Sequence, residues 1–242
     1  MTLFIDALDK NAFSKVDIVL FALPGVGDVG KNAIELLNEA NKAVTVARYI
    51  HPGLTPLARL DGDGLLAPPH LAVNRIETEQ GKTILTITGR GQPSESYLQH
   101  DFSTELLKHV ADNNIGEIIV LAGLMSAPEV KEAFAVATSS HHRVKLEQRG
   151  VDVRRDQPSG GAIGMSALVA SLAPLFGLDS VCAMATTVGA SGDVHASLRL
   201  LEFVSKGWDL DVMLPEDATS ALLSKLNELA PSANTDHVRE LM

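Results

Sequence analysis

An apolar run that meets a glycine-rich turn and then a helix-like segment constrains this chain most. Residues 18–23 read as a buried strand, and residues 31–40 carry apolar side chains at helical spacing. Between the two segments stand three closely spaced glycines, Gly25, Gly27 and Gly30. A strand, a tight turn and a helix N-terminus in this order often form a ligand site in α/β proteins. The stretch therefore predicts an α/β fold with a candidate site at the turn.

Strand-length apolar runs alternate with helical patterns along the rest of the chain. The runs lie at residues 16–23, 44–50, 83–88, 117–122, 134–138 and 180–186. Helical spacing occurs at residues 31–40, 94–113, 164–176, 193–206 and 217–229. This alternation is typical of a mostly parallel sheet flanked by helices on both faces, and this is the fold class that we predict. Two prolines and an alternating pattern set residues 65–79 apart, so we expect an antiparallel excursion there.

Length and composition fit one domain with its own core. With 242 residues, 45% of them hydrophobic, we predict a single α/β domain over residues 1–230 and a polar tail over residues 231–242. The net charge of −10 argues against nucleic acid or an anionic membrane surface as partner. A single cysteine, an acidic N-terminus unlike a signal peptide and no apolar stretch of ~18 residues favour a cytoplasmic protein.

The glycine turn fits two nucleotide-binding motifs, each incompletely. Residues 25–30 match G-x-G-x-x-G, but the next predicted strand ends without the carboxylate that would bind ribose hydroxyls, and Asp28 would repel a pyrophosphate. Residues 25–32 approach G-x-x-x-x-G-K-[ST], but Asn32 replaces the hydroxyl that binds magnesium. A third interpretation is structural: glycine permits the backbone conformation and close packing, and Asp28 caps the helix.

The histidines and the cysteine suggest no catalytic or metal-binding set. His141 and His142 are adjacent, so on a helix they diverge by about 100°, and the basic residues that follow predict a solvated helix. Cys182 lies in an apolar strand, where a buried thiol is expected rather than a nucleophile. Trp208 fits either an exposed interface anchor or a core position. We predict no catalytic residue, no metal ligand and no cofactor, while an enzymatic role stays open.

The turns that follow the predicted strands should meet at one edge of the sheet. A crevice at such an edge is where open α/β sheets bind ligands, and backbone amides of glycine turns can hold an anion such as phosphate. The alternative is that these glycines only allow tight packing. The candidate crevice residues are Gly25, Gly27, Asp28, Gly30, Gly89, Arg90, Gln92, Gly123, Gly161 and Gly164.

Six segments resemble, in the same order, the signatures of the proteasome assembly chaperone 2 family. They are residues 22–31 (Ala-Leu-Pro-Gly-Val-Gly-Asp-Val-Gly-Lys), 63–68 (Asp-Gly-Leu-Leu-Ala-Pro), 88–93 (Thr-Gly-Arg-Gly-Gln-Pro), 120–123 (Val-Leu-Ala-Gly), 134–138 (Phe-Ala-Val-Ala-Thr) and 159–164 (Ser-Gly-Gly-Ala-Ile-Gly). Glycine, proline and aliphatic residues make each segment weak alone, so the resemblance depends on their order. The family's aromatic-and-Asp-Pro stretch is replaced here by residues 189–195, which lack the aromatic residue and the proline, and we expect Asp193 there to cap the next helix.

This resemblance implies a sandwich like that of purine nucleoside phosphorylases and a homo-oligomer that assists the assembly of α-type proteasome subunits without catalysis. Family members are often labelled ATP-grasp or carboxylate–amine ligases, but the lysines and acidic magnesium ligands of that chemistry cannot be placed here. Some archaeal relatives dock through a C-terminal hydrophobic–Tyr–any tripeptide, whereas this chain ends Glu240-Leu241-Met242. The alternative function is a protein or enzyme that binds a nucleotide, nucleoside or phosphate at the glycine-turn crevice.

Overall fold

The computed structural model describes residues 2–215, which contain ten strands and five α-helices. The strands are β1 (Phe4–Ala7), β2 (Ile18–Ala22), β3 (Val44–Ile50), β4 (Arg59–Leu60), β5 (Leu66–Ala67), β6 (Leu71–Glu77), β7 (Thr83–Gly89), β8 (Glu117–Met125), β9 (Ala133–Ala137) and β10 (Asp179–Thr187). The helices are α1 (Val29–Ala40), α2 (Ser96–Asp112), α3 (Ser140–Gln148), α4 (Met165–Leu172) and α5 (Val194–Gly207). Short 3-10 turns precede α1 and follow α4.

Eight strands form one mixed sheet in the order β1-β3-β6-β7-β2-β8-β10-β9. The four central strands, β7, β2, β8 and β10, are parallel. The strands at both ends pair antiparallel with their neighbours. The prediction of a mostly parallel sheet was therefore wrong. A tight turn, closed by the Thr78 hydroxyl accepting from the Lys82 amide at 3.1 Å, joins β6 to β7 where a parallel pair would need a crossover. The expected antiparallel excursion is confirmed there.

Helices cover both faces of the sheet, as the alternation predicts. Helices α1 and α5 pack on one face, where Leu20 and Ile34 are buried together. Helices α2 and α4 pack on the other, where Phe21 and Phe102 are buried. Each such side chain contributes about 1.5–3 kcal/mol by leaving water. Because β2 alternates between two buried faces, all its residues are apolar.

The predicted elements match the structure to within a few residues wherever the pattern is long. Residues 44–50 coincide with β3, and the helical patterns at 94–113 and 193–206 correspond to α2 and α5. The predicted C-terminal helix at 217–229 and the tail at 231–242 lie outside the described residues. No helix among residues 2–215 has the length and apolar character needed to cross a bilayer.

The face that carries α1 has a polar row beyond that helix. Arg48, Ala72 and Thr88 are successive cross-strand partners on β3, β6 and β7, and the row continues to Asp6 of β1. The β4–β5 hairpin lies beside this row, tied to it by the Arg48 guanidinium, which donates to the Asp61 carboxylate at 3.3 Å. The row and the hairpin together position one of two grooves described below.

Candidate functional site

The turn between β2 and α1 is held by the loop that precedes α5. Gly27 has φ of 64°, a left-handed conformation that favours glycine, and its carbonyl accepts from the Gly192 and Asp193 amides at 3.2 and 3.3 Å. The Asp28 carboxylate accepts from the Ser191 hydroxyl at 2.6 Å. Asp28 makes no side-chain bond to a helix amide, so the expected cap at α1 is wrong. Asp28 instead connects two loops.

Gly30 and Gly123 allow the helix and the turn to approach β8 closely. A Cβ atom on Gly30 would lie 2.1 Å from the Leu121 carbonyl oxygen, and one on Gly123 would lie 2.2 Å from the Val26 carbonyl oxygen. Real Cβ atoms do not come this close to backbone atoms. At this turn the contacts therefore support the structural interpretation of the glycine motif over a phosphate cradle.

The other candidate crevice residues lie in two separate places. Gln92, two residues after Arg90, connects the two places: its side-chain oxygen accepts from the Met165 amide at 2.8 Å and so caps α4. Gly161 and Gly164 line a groove beside α4, whereas Gly89 and Arg90 line the groove beside the hairpin. The structure therefore distributes the ten candidate residues over a closed turn and two grooves.

The first groove, here the α4 groove, encloses about 600 Å³ between α4, the start of α2 and the β9–β10 side of the sheet. Its floor includes Cys182 and Met184, and Ile163 is fully exposed at its rim. Burial raises the pKa of the Cys182 thiol to about 12. The expected burial of this cysteine is confirmed, and a raised pKa disfavours the thiolate form.

The second groove, here the hairpin groove, also encloses about 600 Å³. Its floor is the row of Arg48, Ala72 and Thr88, and its walls are Glu35 of α1 and the β4–β5 hairpin. Residues 89–91 and Arg59 line it as well. The hairpin turn is closed by the Asp61 carboxylate, which accepts from the Asp63 and Leu65 amides at 3.1 and 3.0 Å. The Leu65 amide, together with Arg48, lowers the pKa of Asp61.

A buried hydroxyl and an exposed cation at this groove were missed by the sequence analysis. The Thr88 side-chain oxygen is buried and has no hydrogen-bond partner among the described residues. Arg59 belongs to a strand of two residues, which is too short for a periodic signal. The repeated leucines around Asp-Gly-Asp-Gly at 61–64 were the available signal, because they place apolar side chains on a tight turn.

His51 serves the packing of the fold. His51 is buried, stacks on Phe102 with ring centroids 4.6 Å apart, and has its Nε2 atom 3.2 Å from the Asp101 carboxylate. Its Nδ1 atom accepts from the Gly53 amide at 3.0 Å. Hydrogen bonds from Thr2 and His51 lower the pKa of Asp101. Both ring nitrogens are therefore engaged in contacts within the fold.

His142 corrects the expectation of a solvated helix at α3. Its side chain is buried, with Nε2 3.0 Å from the Glu117 carboxylate and Nδ1 3.1 Å from the Ser180 carbonyl. Trp208, also buried, donates to the same Glu117 oxygen at 2.6 Å, which makes it a core residue. Burial alone would lower the pKa of His142, but these hydrogen bonds raise it. Residues 2–215 contain no group of three side chains that could hold a metal ion.

Comparison with known proteins identifies the family. The PAC2 family model matches residues 19–230. A search of curated protein sequences found no match. The solved structures include Pyrococcus furiosus PbaB, described as an archaeal proteasome activator, with 21% identity, TM-score 0.76 and coverage of 95% of this chain and 98% of that chain.

Two further structures show the same fold. Pyrococcus furiosus PbaA, an archaeal homolog of proteasome-assembly chaperone, has 21% identity, TM-score 0.73 and coverage of 94% of each chain. The Mycobacterium tuberculosis proteasome-assembly chaperone homologue Rv2125 has 17% identity, TM-score 0.66 and coverage of 93% of this chain and 100% of that chain. At these identities the likeness shows a shared fold over nearly the whole length of both chains.

Proposed function

The chain belongs to the PAC2 family, and from that premise we propose that it is a proteasome assembly chaperone-like protein. It binds α-type proteasome subunits as a homo-oligomer in the cytoplasm, and it breaks and forms no covalent bond. The observation that carries this proposal is the match of nearly the whole chain to structures described as a proteasome activator and as proteasome-assembly chaperone homologues. The family match gives no support to the ATP-grasp or ligase label.

The surface of the fold is compatible with such a role. Large apolar side chains are exposed at several places, among them Leu66, Tyr97, Ile163 and Leu175. Contiguous apolar patches mark interaction surfaces, and exposed side chains such as these can contribute to one. A specific protein complex buries about 1,600 Å² in total, so the chaperone acts through the surface it buries against a subunit.

The alternative, binding of a nucleotide, nucleoside or phosphate at the glycine turns, has less support. The loop at 187–193 packs against the turn before α1, and Gly30 and Gly123 are used for close packing. A phosphorylase-like layering and a single domain over residues 1–230 remain part of the proposal. A thermal shift assay with ATP, adenosine or phosphate tests the alternative, because ligand at about 100 times its Kd should stabilise the protein by about 2.7 kcal/mol.

The proposed function is tested by size exclusion with light scattering. The full chain is run alone, then with α-type proteasome subunits from the same source. A complex whose mass equals the sum of a homo-oligomer and subunits supports the proposal. Separate elution of the two proteins at micromolar concentration, with no change in subunit assembly, contradicts it.

A further inference from the structure

We propose that the hairpin groove docks an extended segment of the partner protein that presents acidic side chains among apolar ones. The identity of the partner rests on the proposed function, whereas the chemistry of the segment rests on the groove alone. Three observations carry the inference: a buried hydroxyl on the floor without a hydrogen-bond partner, two unpaired cations in the lining, and two exposed leucines in the lining.

The floor offers a hydrogen bond that the fold does not use. Thr88 is 7% exposed and lies on β7 beside Ala72 of β6, in the row that forms the groove floor. Its Oγ1 atom is buried and makes no hydrogen bond within residues 2–215. A buried polar group without a partner is unusual in a folded protein and calls for an explanation. Because this atom is shielded from solvent, a polar group of a bound segment completes the hydrogen bond only if the Thr88 side chain rotates toward the groove on binding.

The charges around the groove select an acidic segment. Arg48 is already neutralised by Asp61 at 3.3 Å and by Asp6 at 3.7 Å, and Glu35 is paired with Lys31. Arg59 and Arg90 are exposed, line the groove and form no ion pair with any described residue. The unpaired charge at this groove is therefore positive, in a chain whose net charge is −10. Planar guanidinium groups bind carboxylates with two parallel hydrogen bonds.

The hairpin adds an apolar contact that favours a protein segment over a small anion. Leu57 and Leu60 line the groove and are 51% and 71% exposed, whereas Leu66, the cross-strand partner of Leu60, lies outside the lining. A small anion at the arginines would leave these side chains in water. An extended segment can place apolar and acidic side chains on alternate sides, which reach the leucines and the arginines.

The test uses labelled hexapeptides and fluorescence anisotropy with the full chain. The probes alternate Leu with Asp, Leu with Lys, or Ser with Asp. We expect the Leu–Asp peptide to bind, and the other two to bind at least tenfold more weakly. The double variant Arg59→Glu/Arg90→Glu and the double variant Leu57→Ser/Leu60→Ser should each weaken Leu–Asp binding at least tenfold. Thr88→Val should weaken it severalfold.

Matched controls lie elsewhere on the surface. Lys108→Glu/Arg149→Glu makes the same change in net charge at two exposed cations outside the groove lining, and Leu175→Ser removes a leucine that is at least as exposed as Leu60. Both controls should bind the Leu–Asp peptide within twofold of the unaltered protein. Circular dichroism melts confirm that each variant is folded before binding is measured.

Several outcomes overturn the inference. Equal binding of the Leu–Asp and Leu–Lys peptides would overturn it, as would equal binding by the groove and control variants. Absence of peptide binding would also overturn it. So would displacement of the bound peptide by inorganic phosphate added at a concentration that saturates the phosphate site. Loss of self-association in the groove variants would assign the surface to a second copy and also overturn it.

The same variants are then run with α-type subunits. Subunit binding that groove variants do not change removes this inference and leaves the proposed function. Failure of the unaltered chain to bind subunits, with peptide binding intact, removes the proposed function and leaves the groove.

Discussion

Thr187 on β10 and Thr88 on β7 are both buried near the carboxyl ends of parallel strands in one sheet, at 4% and 7% exposure. Their hydroxyls have different surroundings. Thr187 donates to the Asp193 carboxylate at 2.6 Å and accepts from the Gly189 amide at 3.1 Å. Thr88 has no such partner in the described chain. Two similar residues on similar strands thus differ in that the hydrogen bonds of Thr187 are complete and those of the Thr88 side chain are not.

The difference extends to the regions around the two threonines. Beside Thr187, loop 187–193 packs on the turn before α1, and Gly27 and Asp28 have their polar groups engaged by it. Beside Thr88, Arg90 is exposed and without an ion pair among the described residues. We infer that glycine motifs whose polar groups are satisfied by the chain serve the fold, and that unsatisfied groups mark where a partner acts.

The largest effect should come from closing the glycine contact at α1. Gly30→Ala places a Cβ where only 2.1 Å separates it from the Leu121 carbonyl oxygen, so the helix must move off β8. We expect a loss of at least about 3 kcal/mol in the free energy of unfolding, although alanine favours helices by about 1 kcal/mol. Chemical denaturation measures it.

Gly91→Ala is the matched control at the open groove. A Cβ there meets no atom within 4 Å, and we expect a change within about 0.5 kcal/mol. Equal stability of the two variants would show that the turn before α1 is as open as the hairpin groove, and the comparison would be lost.

The next effect concerns buried His142 and its partly buried partner Glu117, the first residue of β8. The Glu117→Gln variant keeps an acceptor for Trp208 but removes the charge that faces the imidazole at 3.0 Å. We expect the variant to be less stable by about 3 kcal/mol at pH 6, because a charged histidine is left without its partner. The measurement is denaturant unfolding from pH 6 to 9.

The sign of this pH dependence follows from the raised pKa of His142 in the folded state. A raised pKa means that the folded protein holds the proton more tightly than the unfolded chain, whose histidine has a pKa of about 6.5. The stabilisation is complete below that value and is lost as the pH rises through the folded-state pKa. The difference in the free energy of unfolding between the unaltered protein and the Glu117→Gln variant should therefore shrink toward pH 9. A difference that stays constant with pH would contradict the ion pair.

Long periodic segments of the fold were predictable because their pattern reports burial directly. The residues of β3 and the extent of α2 follow from apolar spacing alone. The strands at the sheet ends were harder. The short β1 strand carries Asp6 and pairs only with β3, so its sequence has no buried period to read. Whether neighbouring strands pair parallel or antiparallel is set by the chain segments that connect them, and the apolar pattern does not report this.

The candidate site was predictable only as a set of turns. Sequence motifs indicated that Gly25 and Gly89 follow strands, but they could not show that a loop 160 residues away would close the first turn and leave the second open. That outcome depends on long-range contacts such as the one between Asp28 and Ser191. The burial of His142 was missed for the same reason, because its partner Glu117 lies on another element.

A moderate effect is expected at the cap of α5. The Asp193 carboxylate accepts from the Ala196 amide at 3.0 Å and from Thr187, as the sequence predicts for a helix cap. Asp193→Ala removes both bonds and should cost about 1–2 kcal/mol. Asp193→Asn keeps an oxygen for the cap and should retain more than half of that stability. Thermal unfolding distinguishes the two, and an equal loss in both variants would show that charge rather than capping matters.

The smallest effect on stability should be the most informative, because it comes from the floor of the hairpin groove. Thr88→Val replaces a hydroxyl without a hydrogen-bond partner by a methyl group of similar shape, so the free energy of unfolding should stay unchanged or rise by up to about 1 kcal/mol. Thr187→Val makes the same chemical change where two hydrogen bonds exist, and it should cost about 1–3 kcal/mol. Denaturant unfolding of both variants in parallel measures the difference. A Thr88→Val protein that is destabilised as strongly as Thr187→Val would mean that the fold already uses the Thr88 hydroxyl, and the groove would lose the polar anchor on which its docking chemistry depends.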